Sequence, residues 1–282
     1  MAPLPVFLIN LERDKDRLAH MTAQLAAAGL PFERIPAILG TALPGPLADY
    51  LLTGTGEIAS KLKQGEVGCY ASHLVVHDRI KDEAPDLAVL VLEDDLRFGS
   101  DLASALGEIL GQLPADWDIV RLSNPPKSAY VPIAGMEGPY ELVRYSKIPN
   151  NTGAYLINPR GAAKFLAGQR PRTRAIDEDL RRPWDFGLKT YGIMPPPIVS
   201  NIFESTIDRM EDRGLRRRLK PPKLLTGRTE GLAGGLRRAR YNIADLGPGL
   251  WLRCLLRNYS RAVVARLKGK GKNADRTVFR VE

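Results

Sequence analysis

Three consecutive carboxylates, Glu93, Asp94 and Asp95, follow directly on the apolar run Leu87-Ala-Val-Leu-Val-Leu92. Adjacent acids repel one another and resist burial unless a cation compensates them. A hard divalent ion that also holds a phosphate meets that need with oxygen ligands. A solvated acidic turn is the other reading of the same spacing. The six apolar residues ahead of the acids read as a strand buried on both faces, as in parallel sheets. Open α/β sheets bind ligands at the carboxyl ends of their strands, where these acids stand.

The elements around them follow from periodicity. Val6–Asn10 reads as the first strand. Residues 14–28 carry Leu18, Met21, Leu25 and Ala28 at helical spacing, and Gly29 stops that helix. Phe32–Ala37 is a second strand, and 39–65, rich in Gly, Pro and Thr, is a long irregular segment of the kind that forms lids and binding loops. Helices follow over Glu66–Lys81 and Leu102–Leu113, then a strand at Asp118–Leu122. Ala154–Ile157 is a strand leading into a helix at Pro159–Leu166, with Pro in its first turn. Ile176–Thr190 is helical in part, broken at Pro183. Ile193–Val199, with its three prolines, is expected at a sheet edge. Alternating strands and helices predict an α/β fold.

The chain has 282 residues, 44% of them hydrophobic, an ordinary globular composition. No apolar stretch approaches the ~20 residues that span a bilayer. The first residues read as a strand, not a signal peptide. Cys69 and Cys254 form neither a metal-ligand spacing nor a disulfide framework, which fits a reducing compartment. Charge is uneven: residues 209–282 hold 20 Lys and Arg against 6 Asp and Glu, whereas 1–208 hold 21 against 26. An acidic body, 1–208, is therefore followed by a basic extension, 209–282, suited to an anionic surface.

The order of motifs resembles glycosyltransferase family 25, which includes bacterial lipooligosaccharide galactosyltransferases and collagen hydroxylysine galactosyltransferases. Val6-Phe-Leu-Ile-Asn-Leu-Glu-Arg13 with Arg17 is similar to its opening signature, and Gly65-Glu-Val-Gly-Cys-Tyr-Ala-Ser-His73 to its second. Leu92-Glu-Asp-Asp95 matches its acidic motif, and Asp118-Ile-Val-Arg-Leu122, Asn151-Thr-Gly-Ala-Tyr155 and Ile176-Asp177 match three further blocks. Pro195-Pro-Pro-Ile-Val-Ser-Asn201 and Glu204-Ser-Thr-Ile207 resemble its closing block. Two positions depart: Asn201, where Gln is common, and Gly153-Ala-Tyr155, where Ala-Gly-Tyr is usual.

The resemblance implies a GT-A (Rossmann-like) α/β fold and inverting transfer of a sugar from a nucleotide sugar, usually UDP-galactose, assisted by Mn2+ or Mg2+. The cation neutralises the departing diphosphate. Asp95 is the expected metal ligand, and Asp94 contacts the ribose, or the metal through water. Glu93 lies on the donor side and orients its neighbours. Arg13 and Arg17, one turn apart, suit phosphate or carboxylate recognition; an exposed helix pair is the alternative. Asn10 either hydrogen-bonds the base or ribose or serves the turn. Arg121 interrupts an apolar strand, so it pairs with a motif acid or reaches the donor. Inversion needs a general base, and Asp177 leads Glu178 and Asp179, with Asp185 more distant; acids favoured by a helix dipole are the plain reading of all of them. His73 and His77 lack the Glu of H-E-x-x-H and a third ligand, so His73 reads as a packing or donor-site residue.

In the extension, Trp251, Leu252, Leu255, Leu256, Tyr259, Val263 and Leu267 recur near helical spacing beside Arg253, Arg257 and Arg261. Such a helix suits the headgroup region of an anionic membrane or packs against the body; residues 268–276 look flexible. By resemblance the acceptor is a glycan or glycolipid of the lipopolysaccharide type, and the place is cytoplasmic, peripheral on the inner membrane. A GT-A enzyme with another donor, and a non-enzymatic nucleic-acid- or membrane-binding protein, are the rivals; no nucleic-acid motif supports specific nucleic-acid binding.

Overall fold

The strand Val6–Asn10 (β1) is buried at every position and sits in the middle of a parallel trio. Its neighbours are Glu33–Pro36 (β2) and Val89–Glu93 (β3). The computed structural model describes residues 4–59, 61–84, 87–136, 138–200, 232–267 and 280–281. In chain order the remaining strands are Leu96–Phe98 (β4), Ile119–Arg121 (β5), Tyr130–Gly135 (β6), Glu141–Tyr145 (β7), Ala154–Ile157 (β8), Thr190–Met194 (β9) and Ile198–Ser200 (β10). The helices are Lys15–Ala27 (α1), Gly45–Leu51 (α2), Gln64–Ile80 (α3), Leu102–Gln112 (α4), Pro159–Leu166 (α5), Ile176–Leu180 (α6), Pro183–Phe186 (α7), Leu232–Leu246 (α8) and Pro248–Leu267 (α9). Eight strands form one mixed sheet in the order β2-β1-β3-β8-β5-β9-β7-β6, and β10 pairs with β4 in a separate ribbon.

Alternate residues of each central strand feed opposite faces, as the two-residue period of a strand requires. Phe7, Ile9, Val89, Val91, Ile119 and Tyr155 pack on one face with α3 and α5, through Tyr70, Leu74 and Phe165. Val6, Leu8, Leu90, Leu92, Val120 and Leu156 pack on the other with α1 and α4, through Met21, Leu25, Leu106 and Ile109. Burial on both faces explains why β3 is a continuous Val/Leu run. Gly29 ends α1 in the left-handed conformation, φ 66°, as expected of a helix-stopping glycine.

The α/β expectation holds, and two local expectations are corrected. The span 39–65 is not irregular throughout: Pro44 and Pro46 begin α2, whose Leu47 and Leu51 are buried. Ile193–Val199 is not one edge strand. Met194 ends β9, which lies inside the sheet between β5 and β7, and Pro195-Pro-Pro197 carries the chain to β10. Proline cannot donate to a ladder, so it separates two strands here and does not mark an edge. Asn201, the 204–207 block, the boundary near Met210 and residues 268–276 lie outside the described residues.

The basic extension returns to the body. Leu246, Cys254 and Val281 pack with Ala129 and Val131 beside β6. Arg144 pairs with Asp245 at 2.6 Å, and Asn258 Oδ1 accepts the Ala129 N–H at 2.8 Å. Helix α9 thus docks through Leu250, Trp251, Cys254 and Asn258. Its other side leaves Leu252, Leu255, Leu256 and Tyr259 exposed, Tyr259 by 72%. Of the remaining face residues, Val263 is half-buried, and the Leu267 side chain lies outside the described residues. No helix among the described residues is long and apolar enough to cross a membrane.

Candidate active site

The carboxyl ends of β1 and β3, the loop over residues 37–41 and the first turns of α3 enclose a cavity of about 140 Å³. Asn10, Arg17, Ser72, His73, Glu93 and Asp94 contribute to its wall. Two glycines let the loop lie against the helix. A Cβ on Gly40 would stand 1.9 Å from the Gln64 carbonyl oxygen, and one on Gly68 would stand 2.5 Å from the Ile38 carbonyl oxygen. Ser72 Oγ then accepts the Ile38 N–H at 2.8 Å and donates to the Gly68 carbonyl at 2.7 Å.

The three motif acids have three different surroundings. Both oxygens of Asp94 are engaged: Asn10 Nδ2 donates to Oδ2 at 2.7 Å and Arg17 Nη1 to Oδ1 at 3.0 Å. Arg34 Nε in turn donates to Asn10 Oδ1 at 3.0 Å. Burial raises the Asp94 carboxyl above its ordinary value, against the pull of Asn10 and Arg17. Arg17 therefore tethers β3 to α1, and Arg13 is half exposed, 4.0 Å from Asp14. Glu93 Oε1 is met by Thr152 Oγ1 at 2.5 Å and by His73 Nε2 at 3.2 Å. Burial alone would raise the Glu93 carboxyl, but the hydrogen bonds from His73 and Thr152, with the charge of Arg121, hold it below the usual range. Asp95 differs from both. Its Oδ1 is buried without a hydrogen-bond partner, and burial, then the charges of Glu93 and Asp94, push its carboxyl up to about 6.

A carboxylate oxygen that is desolvated, crowded by like charge and unpartnered is one that a cation would satisfy. The residues present fit such an ion. Cys69, His73 and Glu93 also bring ligand atoms within 4.8 Å of one another in the same wall, where both His73 nitrogens are already engaged by Tyr155 OH and Glu93 Oε1. Burial, then Glu93, Asp177 and Asp95, push the Cys69 thiol well above its ordinary value.

The charge of Asp177 acts on Cys69 and on Arg121, whereas its two neighbours are placed differently. Asn150 Nδ2 hydrogen-bonds Asp177 Oδ2, and burial raises its carboxyl against the Glu178 N–H, Asn150 and Arg121. Glu178 is exposed. Asp179 is buried and committed elsewhere, accepting from Tyr70 OH at 2.8 Å and Arg174 Nε at 2.7 Å. Asp185 is tied to Arg182 at 2.7 Å and Arg174 at 3.2 Å. Arg121 is fully buried, and its three guanidinium nitrogens have no hydrogen-bond partner among the described residues. It makes no hydrogen bond to any of the three motif acids, yet its charge acts on Glu93 and on Asp177. Opposite it in β9, Gly192 leaves room for the Tyr145 ring, whose hydroxyl would stand 1.8 Å from a Cβ there.

Sequence reasoning missed Arg34, Asn150, Thr152 and Tyr155 as site residues. Thr152 and Tyr155 sit within a block already matched, and no local signal distinguishes Arg34 from a surface arginine. The glycine at 153 has a steric reason: a Cβ would lie 2.9 Å from both Asn151 Oδ1 and Leu96 Cδ2.

The model of a family described as "Glycosyltransferase family 25 (LPS biosynthesis protein)" matches residues 4–179. The chain belongs to glycosyltransferase family 25. Every candidate site residue of this family 25 chain except Asp185 lies inside the matched span, and its mixed α/β sheet with a helical C-terminal region agrees with the GT-A class expected of it. Procollagen galactosyltransferase 1-B of Xenopus laevis is 31% identical over 170 residues, 57% of this chain and 28% of that one. The human inactive glycosyltransferase 25 family member 3 is 34% identical over 188 residues, 62% of this chain and 30% of that one. The chain thus spans under a third of the length of these relatives. Among solved structures, a mutant Drosophila β1,4-galactosyltransferase 7 in complex with manganese, UDP-Gal and xylobiose aligns at a TM-score of 0.37 and 12% identity, over 82% of this chain and 80% of that one.

Proposed function

We propose that this family 25 chain transfers galactose from UDP-galactose to a hydroxyl of a bacterial surface glycan of the lipopolysaccharide or lipooligosaccharide type, with inversion at the anomeric carbon. The observation that carries the reading is the unpartnered, buried Oδ1 of Asp95 beside a cavity walled by Asn10, His73 and Glu93. The family description and the relatives named as galactosyltransferases support the reaction class and the sugar. Asp95 would hold a divalent cation, Mn2+ or Mg2+, whose positive charge would stabilise the departing diphosphate. Asp94, clamped by Asn10 and Arg17, sets the position of that turn. Asp177 takes the proton of the attacking hydroxyl, since a raised carboxyl pKa brings a base nearer the operating pH. Glu178, exposed, and Asp179, held by Tyr70 and Arg174, are poorer candidates. Calorimetric titration with UDP tests the donor and cation assignment together. UDP is expected to bind in the presence of Mn2+ and at least about tenfold more weakly after chelation. Equal affinity with and without the cation would contradict it. A donor other than UDP-galactose is the alternative within the same site.

A second reading concerns α9. Its exposed Leu252, Leu255, Leu256 and Tyr259 adjoin Arg253 and Arg257, in an extension rich in basic residues. We propose that this face lies on an anionic lipid surface at the cytoplasmic side of the inner membrane. The full chain is expected to float with phosphatidylglycerol vesicles at low salt, and the double variant Leu255→Asp, Leu256→Asp to stay behind. Equal flotation of both chains would remove the membrane role from this face.

A further inference from the structure

A line of four polar side chains runs from the buried core to the cavity wall. His77 Nε2 lies 2.9 Å from Tyr155 OH, and Tyr155 OH lies 2.8 Å from His73 Nδ1. His73 Nε2 lies 3.2 Å from Glu93 Oε1. His73 and His77 stand one turn apart on α3, Tyr155 is on β8, and Glu93 ends β3. His73 and His77 are each at most 1% exposed and Tyr155 is fully buried.

The hydrogen bonds of this line run in one direction. Burial, then His73 and Arg172, lower His77 to about 3, so it carries a single ring proton. Its Nδ1 is buried with no hydrogen-bond partner among the described residues. A proton on Nδ1 would leave an orphaned buried donor, which costs the desolvation of an N–H with no bond in return. The proton therefore sits on Nε2 and is donated to Tyr155 OH. Tyr155 has one hydrogen, and with His77 donating, that hydrogen goes to His73 Nδ1. His73 must then hold its own proton on Nε2, which points it at Glu93 Oε1. The opposite direction would also face a bare His73 Nε2 toward a carboxylate oxygen, lone pair against lone pair, or demand a second proton on His73.

We propose that Tyr155 and His77 are positioning residues that hold the His73 ring at Nδ1, with its proton on Nε2, so that Glu93 is gripped at Oε1 by His73 and Thr152 and keeps Oε2 for a ligand in the cavity. The ligand chemistry is a hydroxyl donor or a cation, both of which seek a carboxylate oxygen. On the proposed function, that ligand is a hydroxyl of the donor sugar or the cation beside the diphosphate, so the catalytic half of the inference rests on that reading. The tautomer half does not. Nothing in the sequence pattern distinguishes this role, because the four residues are joined only by the packing of α3 against β8.

The chain has three histidines, so long-range nitrogen–proton NMR of the histidine-labelled full chain resolves each ring. His20→Gln assigns the third signal. Both His73 and His77 are expected as neutral Nε2–H rings. An Nδ1–H or doubly protonated His73 overturns the inference whatever the enzyme's activity. In Tyr155→Phe, a near-isosteric change, the His73 proton should stay on Nε2 opposite Glu93, and the Nδ1 resonance is expected to move downfield, toward that of an imidazole nitrogen that accepts no hydrogen bond. The variant's kcat/KM for UDP-galactose should fall about tenfold, the scale of one lost buried hydrogen bond, with UDP affinity near that of the parent and a lower melting temperature, because the buried His77 Nε2–H loses its acceptor. His77→Gln, whose amide N–H stands in for Nε2–H, should recover most of what His77→Leu loses. Equal loss in both variants, or a His73 Nδ1 resonance unmoved in Tyr155→Phe, overturns the relay. Absence of transfer in the parent chain, with the Nε2–H signals in place, counts against the proposed reaction and leaves the relay standing.

Discussion

Replacing Asp95 by Ala is expected to remove sugar transfer by about 10³-fold or more. A bound cation supplies several kcal/mol of charge stabilisation, and each ~1.4 kcal/mol is a factor of ten in rate. The chain should stay folded, because the Asp95 carboxylate stabilises little in the absence of the ion: its Oδ1 makes no hydrogen bond and its ionisation is opposed by burial, Glu93 and Asp94. Removing a carboxyl whose folded pKa is raised takes away a charge that folding disfavours above about pH 6, so the variant should melt no lower than the parent at pH 7 without metal. The same value sets a pH signature. A proton and a cation compete for one carboxylate, so Mn2+ affinity should fall as pH drops through about 6, with protons released on binding near that pH. Asp95→Asn should lose both the affinity and this pH dependence. Titration calorimetry in two buffers of different ionisation enthalpy measures it.

The second large effect is expected at Asp177. Asp177→Asn keeps the hydrogen-bonding shape but cannot accept the acceptor's proton, so transfer should fall by roughly 10²–10⁴-fold while UDP binding stays. Asp179→Asn should behave differently: it weakens a buried pairing with Tyr70 and Arg174 and is read in melting temperature before it is read in rate. Unchanged turnover in Asp177→Asn, measured alongside unchanged UDP affinity, would move the base to another group.

The parts of this site that were legible in the sequence are those set by local pattern. The run ending at Leu92 had to be a doubly buried strand, and the acids after it had to stand at a strand end. Asn10 and Asp95 were placed the same way, at the ends of β1 and β3. Whatever depends on long-range packing was hidden. Asp177 and Asp179 are two residues apart and equally acidic, and it is Tyr70, 109 residues from Asp179, together with Arg174, that commits the second carboxylate. Arg17 looked suited to a phosphate, yet Asp94, 77 residues away, takes it. The prolines at 195–197 gave the wrong location because their effect on a ladder is the same at an edge and between two strands. In the extension, the helical period of α9 was readable, but not its rotation, which turns Trp251 and Cys254 inward and leaves Leu256 and Tyr259 outside.

The central claim is a cation-dependent sugar transfer at the acidic motif that ends in Asp95. Incubating the purified full chain with a panel of nucleotide sugars, with and without Mn2+, and following release of the free nucleotide tests it most directly. The account predicts slow UDP release from UDP-galactose only with the cation, abolished in Asp95→Ala. Release that ignores the metal or survives Asp95→Ala, or no release from any donor together with no UDP binding, would contradict it.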